Sequence, residues 1–119
     1  MLRKRLLLAL PLLLGLAWLV RTGRCERRCG AALAEAEGLF AAGQALGALR
    51  TLDAADARCD CARFTSGDAP PEFSLAIACG RRLQAGGQQA ELNALLSTAK
   101  GPILGMLREH PAAISADQD

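Results

Sequence analysis

Along most of this chain apolar residues recur at steps of three and four, the spacing that lines side chains along one face of an α-helix. The clearest instance is the stretch from Leu39 to Ala55, LFAAGQALGALRTLDAA. There an Ala/Leu-rich helix arrives at Gly43, bends, and leaves with Ala48, Leu52 and Ala55 on one face. The pattern returns 44 residues later, from Leu83 to Ala99, LQAGGQQAELNALLSTA. The pairs Leu39/Leu83, Ala41/Ala85, Gly43/Gly87, Gln44/Gln88, Leu52/Leu96 and Ala55/Ala99 are identical. Two helical hairpins are the expected consequence.

Start and stop signals extend this to five helices. The first runs from about Glu26 to Ala42, with Cys29, Leu33, Ala36 and Phe40 inward, and the second from about Gln44 to Arg58. A loop from Asp60 to Ala69, rich in turn formers, follows. Pro70-Pro71-Glu72 opens a third helix, because a proline there forfeits no amide bond and an acid in the first turn faces the helix dipole. Gly86-Gly87 stops it. The fourth, about Gln88 to Lys100, turns Leu92, Leu95, Leu96 and Ala99 inward and ends at Lys100-Gly101-Pro102. A short fifth helix then lays Ile103, Leu104 and Leu107 over the preceding pair until Pro111. Residues 111–119 are expected to be a disordered tail.

The N-terminus breaks the amphipathic pattern. Leu6 to Val20, LLLALPLLLGLAWLV, has no charge at all and no polar face, so a buried core helix is disfavoured. As a helix this run reaches only about 22 Å, short of the roughly 30 Å hydrocarbon core. Snorkelling arginines and an interfacial Trp18 make up part of the difference. Residues 1–24 are therefore expected to be a membrane anchor or signal segment. The alternative to the uncleaved anchor is secretion after cleavage near Ala17, where Gly15-Leu16-Ala17 supplies the required small residues. Lipidation at Cys25 is excluded by Arg24, which stands where a lipobox has a small residue.

Charge sharpens this division. Arg3, Lys4, Arg5, Arg21 and Arg24 fall in the first 24 residues, which contain no acid, and the remaining chain carries a net charge of −3. A body of that sign, with three phenylalanines and no tyrosine, argues against nucleic acid as a partner. Ala and Leu dominate and β-branched residues are scarce, so the expected class is all-α. A single-pass location in the cell membrane, with the body from residue 25 to 110 facing the periplasm or the cell exterior, fits the basic N-terminal cap and the cysteines.

Five cysteines stand at positions 25, 29, 59, 61 and 79. Across an antiparallel hairpin bending near Gly43, Cys29 lies near Arg58 and Cys25 near Ala62. Four cysteines allow three connectivities, and this geometry favours Cys29–Cys59 with Cys25–Cys61, two staples at the open end. Cys79 falls on an inner stripe with Leu75, Ala76 and Leu83 and is expected to be a buried free thiol. The competing use of Cys25, Cys29, Cys59 and Cys61 is a metal or redox site. Neither pair has the two-residue spacing of a zinc knuckle, and neither a Cys-x-x-Cys nor a Cys-x-x-Cys-His motif occurs. No metal or other cofactor is expected.

At Gly43-x4-Ala48-x3-Leu52-x2-Ala55, with Ala36 and Phe40 upstream, the chain resembles a tetratricopeptide repeat. The copy at Gly87-x4-Leu92-x3-Leu96-x2-Ala99 departs from that family at Leu92, where it prefers Ala, and the spacing of 44 exceeds its 34. The resemblance covers residues 30–101, with the fifth helix in the place of a capping helix. It implies a groove that binds a peptide or helix of a protein partner, with Glu35, Arg81 and Arg82 as candidate contacts. Each of the three is also explained as plain surface. The overall expectation is a membrane-tethered extracytoplasmic adaptor, of the kind used in envelope or secretion assembly, and not an enzyme. His110 is the only histidine, and neither a nucleophile motif nor a carboxylate pair accompanies it.

Overall fold

The structure, a computed structural model, describes residues 2–61 and 70–115, with side chains from Leu10 onward except that of Thr22. The described residues are all-helical: α1 (Leu2–Ala41), α2 (Ala45–Arg58), α3 (Pro71–Ala85), α4 (Gln89–Thr98), α5 (Pro102–Glu109) and α6 (Ala112–Ser115). The molecule measures 70 × 26 × 24 Å. Its length is that of α1, since 40 helical residues at 1.5 Å each extend about 60 Å.

A single helix crosses the boundary expected at residues 24 and 25. Between Val20 and Cys25 the only weak helix former of consequence is Gly23, and one interior glycine costs about 1 kcal/mol, too little to end a helix this long. The two halves of α1 differ in surroundings, not in backbone. Leu10, Leu12, Leu13, Leu14, Leu16, Trp18, Leu19 and Val20 are each 49–69% exposed, whereas Ala32 and Ala36 are buried. Among the described residues no helix is long and apolar enough to cross a membrane.

The body is organised on α2, which lies against α1, α3, α4 and α5. Its inner face is Ala45, Ala48, Leu49, Leu52, Ala55 and Asp56. Small residues on both partners, Ala32 and Ala36 on α1 and Ala45 and Ala48 on α2, let the two helices approach closely. Ala76, Cys79, Gly80 and Leu83 of α3 complete one side of the core. Leu92 and Leu96 of α4 close another, while Leu95 and Ala99 are half-buried at its edge. Helix α5 is the most sharply two-faced element: Ile103, Leu104 and Leu107 are completely buried among α2, α3 and α4. Burying a side chain of that size contributes about 1.5–3 kcal/mol.

Both bends have the same backbone. At the first, Gly43 has φ +83 and donates to the Phe40 carbonyl, and the Gln44 amide donates to Leu39. At the second, Gly87 has φ +76 and donates to Gln84, and the Gln88 amide donates to Leu83. This is a left-handed glycine cap that satisfies the last carbonyls of the incoming helix.

The tail expected over residues 111–119 is corrected over its first half. Ala112–Ser115 form α6, and Ile114 is 2% exposed. It fits because Gly80 has no side chain: a Cβ there would lie 3.0 Å from Ile114 Cδ1. Arg81 fastens the helix, its Nε donating to the Ile114 carbonyl at 2.9 Å. Residues 116–119, and the stretch 62–69 in the expected loop, lie outside the described residues.

Candidate functional site

The chemistry of this chain gathers at the open end of the first hairpin. Cys25 and Cys29 are one turn apart on α1, and Cys59 and Cys61 follow the end of α2. All four are joined in disulfides, but in the connectivity opposite to the expected one. Cys25 pairs with Cys59, Cα atoms 5.3 Å apart, and Cys29 pairs with Cys61 at 5.7 Å.

The reason for this correction is a carboxylate. The expected pairing assumed that the chain would keep descending past Cys59 so that Cys61 would meet Cys25. Instead α2 stops at Arg58, Cys59 is extended at φ −138, ψ 129, and the Cys61 amide donates to Asp56 Oδ1 at 2.9 Å. That bond returns Cys61 to the level of Asp56, one turn back along α2, and so beside Cys29. With the four sulfurs bonded to one another, the thiolates that a metal or redox site would need are not free in this state. Among the described residues there is no cluster of histidine, cysteine and acidic side chains suited to a metal ion.

Asp56 has a second partner far away in sequence. Its Oδ2 accepts the Ile103 amide at 2.7 Å, and Asp53, one turn earlier, accepts the Gly101 amide at 2.8 Å through Oδ1. The Lys100 amide also points at Asp53 Oδ2, at 3.3 Å. Two acids on one face of α2 thus cap the start of α5, where unpaired amides and the helix dipole favour negative charge. The approach is so close that a Cβ on Gly101 would lie 2.9 Å from Asp53 Oδ1 and from Asp56 Oδ2. Sequence reasoning missed this pair, although a signal was present: Asp56 continues the buried stripe Leu52–Ala55, where an unaccompanied carboxylate is costly and must find donors.

The single free thiol, Cys79, is completely buried. Burial disfavours the thiolate and, with Arg82 only partly offsetting it, pushes the group up from the ordinary value near 9 to about 11. A group in that state is a poor nucleophile at neutral pH. His110 lies exposed at the end of α5.

The three candidate partner contacts have different surroundings. Glu35 is exposed in the groove between α1 and α2, near Thr51. Arg81 holds α6, as described above. Arg82 bridges the hairpins: its guanidinium donates to the Phe40 carbonyl at 2.8 Å and lies 4.3 Å from the Phe40 ring centroid, in cation–π geometry.

Beside the Cys25–Cys59 bond, where the bare half of α1 meets the body, a cleft of about 560 Å³ opens. Arg21, Arg24 and Arg28 line it from α1 and Arg58 from α2, over a floor that includes Leu16 and Val20. No acid lines it. No protein family, curated protein or solved structure matches the chain.

Proposed function

We propose that this protein is a membrane-tethered, extracytoplasmic helical adaptor. Residues 6–20 root it in a bilayer, and the disulfide-closed body presents its helices to a protein partner in envelope or secretion assembly. The observation that carries the reading is the contrast within α1. Eight large apolar side chains between Leu10 and Val20 stand about half or more exposed around a helix, while the continuation of that helix is bolted to α2 by two disulfides. An apolar surface that wraps a helix on every side is unfavourable in water and calls for a nonpolar covering.

The run is shorter than a full span, so the bilayer must thin locally, or Arg21 and Arg24 must reach back along the helix to the headgroups. Disulfides form and persist in oxidising compartments, which supports a body outside the cytoplasm. The matched bends at Gly43 and Gly87 support two related hairpins as the scaffold for a partner. The proposal does not depend on the resemblance to tetratricopeptide repeats.

The test is fractionation of cells expressing the full chain, followed by intact mass and external protease. The expected result is a body that stays with membranes after alkaline carbonate washing, is cut by protease from outside, and keeps its N-terminus. Recovery of the body from the cytosol with reduced cysteines would overturn the proposal. A mature chain beginning at Trp18 would replace the tether with secretion.

A further inference from the structure

Four guanidinium groups line one cleft and, among the described residues, no acid lines it, so positive charge is locally in excess there. Three of them come from a single helix: Arg21, Arg24 and Arg28 follow each other at steps of three and four and share one face of α1. The fourth is different in kind. Arg58 is 30 residues further on in sequence than Arg28 and reaches the cleft only because α2 is folded back on α1 and held by Cys59. The cleft is therefore a product of the fold and not merely of a basic stretch beside an apolar one.

Its position is as informative as its charge. The floor, Leu16 and Val20, belongs to the exposed apolar half of α1, and the arginines begin where that half ends. A ligand that fits both parts carries an anionic, oxygen-rich head and a long apolar body. Arginine's planar fork matches phosphate oxygens in two-point contact.

We infer that Arg21, Arg24, Arg28 and Arg58 bind the phosphate headgroup of an anionic phospholipid whose acyl chains lie along Leu16 and Val20. This rests on the membrane reading given above and adds a lipid preference to it. The bound lipid fixes how deep α1 sits, because the headgroup plane is then tied to the arginines. It also holds the body against the membrane through Arg58, a residue of the folded domain.

Trp18, the only tryptophan of the chain, is two residues from both Leu16 and Val20. It so lies on the opposite face of α1 from the cleft, which it does not line. The probe is therefore a Trp18→Phe, Val20→Trp chain, whose one indole stands on the cleft floor. The experiment places this oxidised full-length chain in vesicles and compares quenching of its indole by brominated phosphatidylglycerol and by brominated phosphatidylcholine at equal mole fraction. The anionic lipid is expected to be preferred about tenfold. Arg58→Gln should reduce that preference about fivefold, the effect of one cation near an anionic surface. Arg50→Gln removes the same charge from another part of α2, where it borders a different groove, and should leave the preference unchanged. If quenching by the two lipids is equal, or if Arg50→Gln and Arg58→Gln behave alike, there is no built headgroup site and the inference fails while the membrane reading stands. If neither lipid quenches the indole of this chain, nor Trp18 of the unaltered one, the membrane reading itself fails. Disulfide mapping and circular dichroism of each variant, with Arg24→Gln as a second probe of the cleft, separate loss of the site from loss of the fold.

Discussion

The two hairpins bend identically and are closed differently. Each incoming helix ends on a positive-φ glycine with the same pair of amide bonds, and each outgoing helix buries corresponding residues, Ala48 and Leu52 in the first, Leu92 and Leu96 in the second. The first has small residues at its helix contact and two disulfides at its open end. The second contains no disulfide, and its outgoing helix is only ten residues long. What closes it is α5, whose first amides are held by Asp53 and Asp56 of the first hairpin and whose Arg108 returns to the Leu96 carbonyl at 3.1 Å. Stability in the second hairpin is thus borrowed from the first through two carboxylates. An alanine-rich helix pair buries little area per residue, so the pair that must support both is the one that is covalently joined.

The strongest way to break this asymmetry is to remove the sulfur. Replacing Cys25, Cys29, Cys59 and Cys61 together with serine should destabilise the body by about 5 kcal/mol, since each bond closes a loop of more than thirty residues but the second adds less once the first is made. Urea unfolding followed by circular dichroism should show both hairpins melting together. A second hairpin that stays folded would show that it does not depend on the first. Replacing only Cys25 and Cys59 should cost about 2 kcal/mol, because the remaining bond keeps the long loop closed.

Next in size is Asp56→Ala, which strips acceptors from the Cys61 and Ile103 amides and should cost about 3 kcal/mol. It also probes how the sulfurs choose. Without the bond that returns Cys61 toward Cys29, reoxidation should yield Cys29–Cys59 in a substantial share of molecules, read by non-reducing peptide mapping. Unchanged pairing would mean that the carboxylate does not set the connectivity.

Gly101→Ala pushes a methyl group into the two carboxylates and should lower stability by about 2 kcal/mol. Gly105→Ala, in the same helix and with only the Arg108 side chain nearby at 3.9 Å, should be neutral or stabilising. Equal losses at the two sites in thermal melts would remove the capping account.

The smallest effects concern the bends. Gly43→Ala and Gly87→Ala meet no atom within 4 Å, so the cost is conformational alone, about 1 kcal/mol each. Denaturant midpoints for the two should coincide within error, and a clear difference would show that the matched backbone conceals unlike constraints.

Much of this architecture is legible in the residues because it is local. Three- and four-residue spacing, prolines at helix starts and glycines at the bends place α2 to α5 within a residue or two. The inner position of Cys79 and the buried stripe Ile103, Leu104 and Leu107 follow from the same periodicity. The first helix was harder, since a change from apolar to amphipathic composition at Arg21 looks like a boundary although nothing there interrupts the backbone. Residues 112–115 escaped for another reason: a four-residue helix has almost no periodicity to read, and Ile114 is held by the gap over Gly80 and the reach of Arg81.

The chain by itself determined an all-helical body, two glycine bends, four cysteines set to join the arms of one hairpin, and a bare apolar stretch ahead of them. Only the tertiary structure decided which sulfur meets which, that Asp53 and Asp56 begin α5, and that Arg58 joins three arginines of α1. The division has a physical cause. Helix propensity and periodicity act over a few residues, whereas a carboxylate accepting amides from residues on either side of a long sequence gap acts only once the chain has brought them within 3 Å.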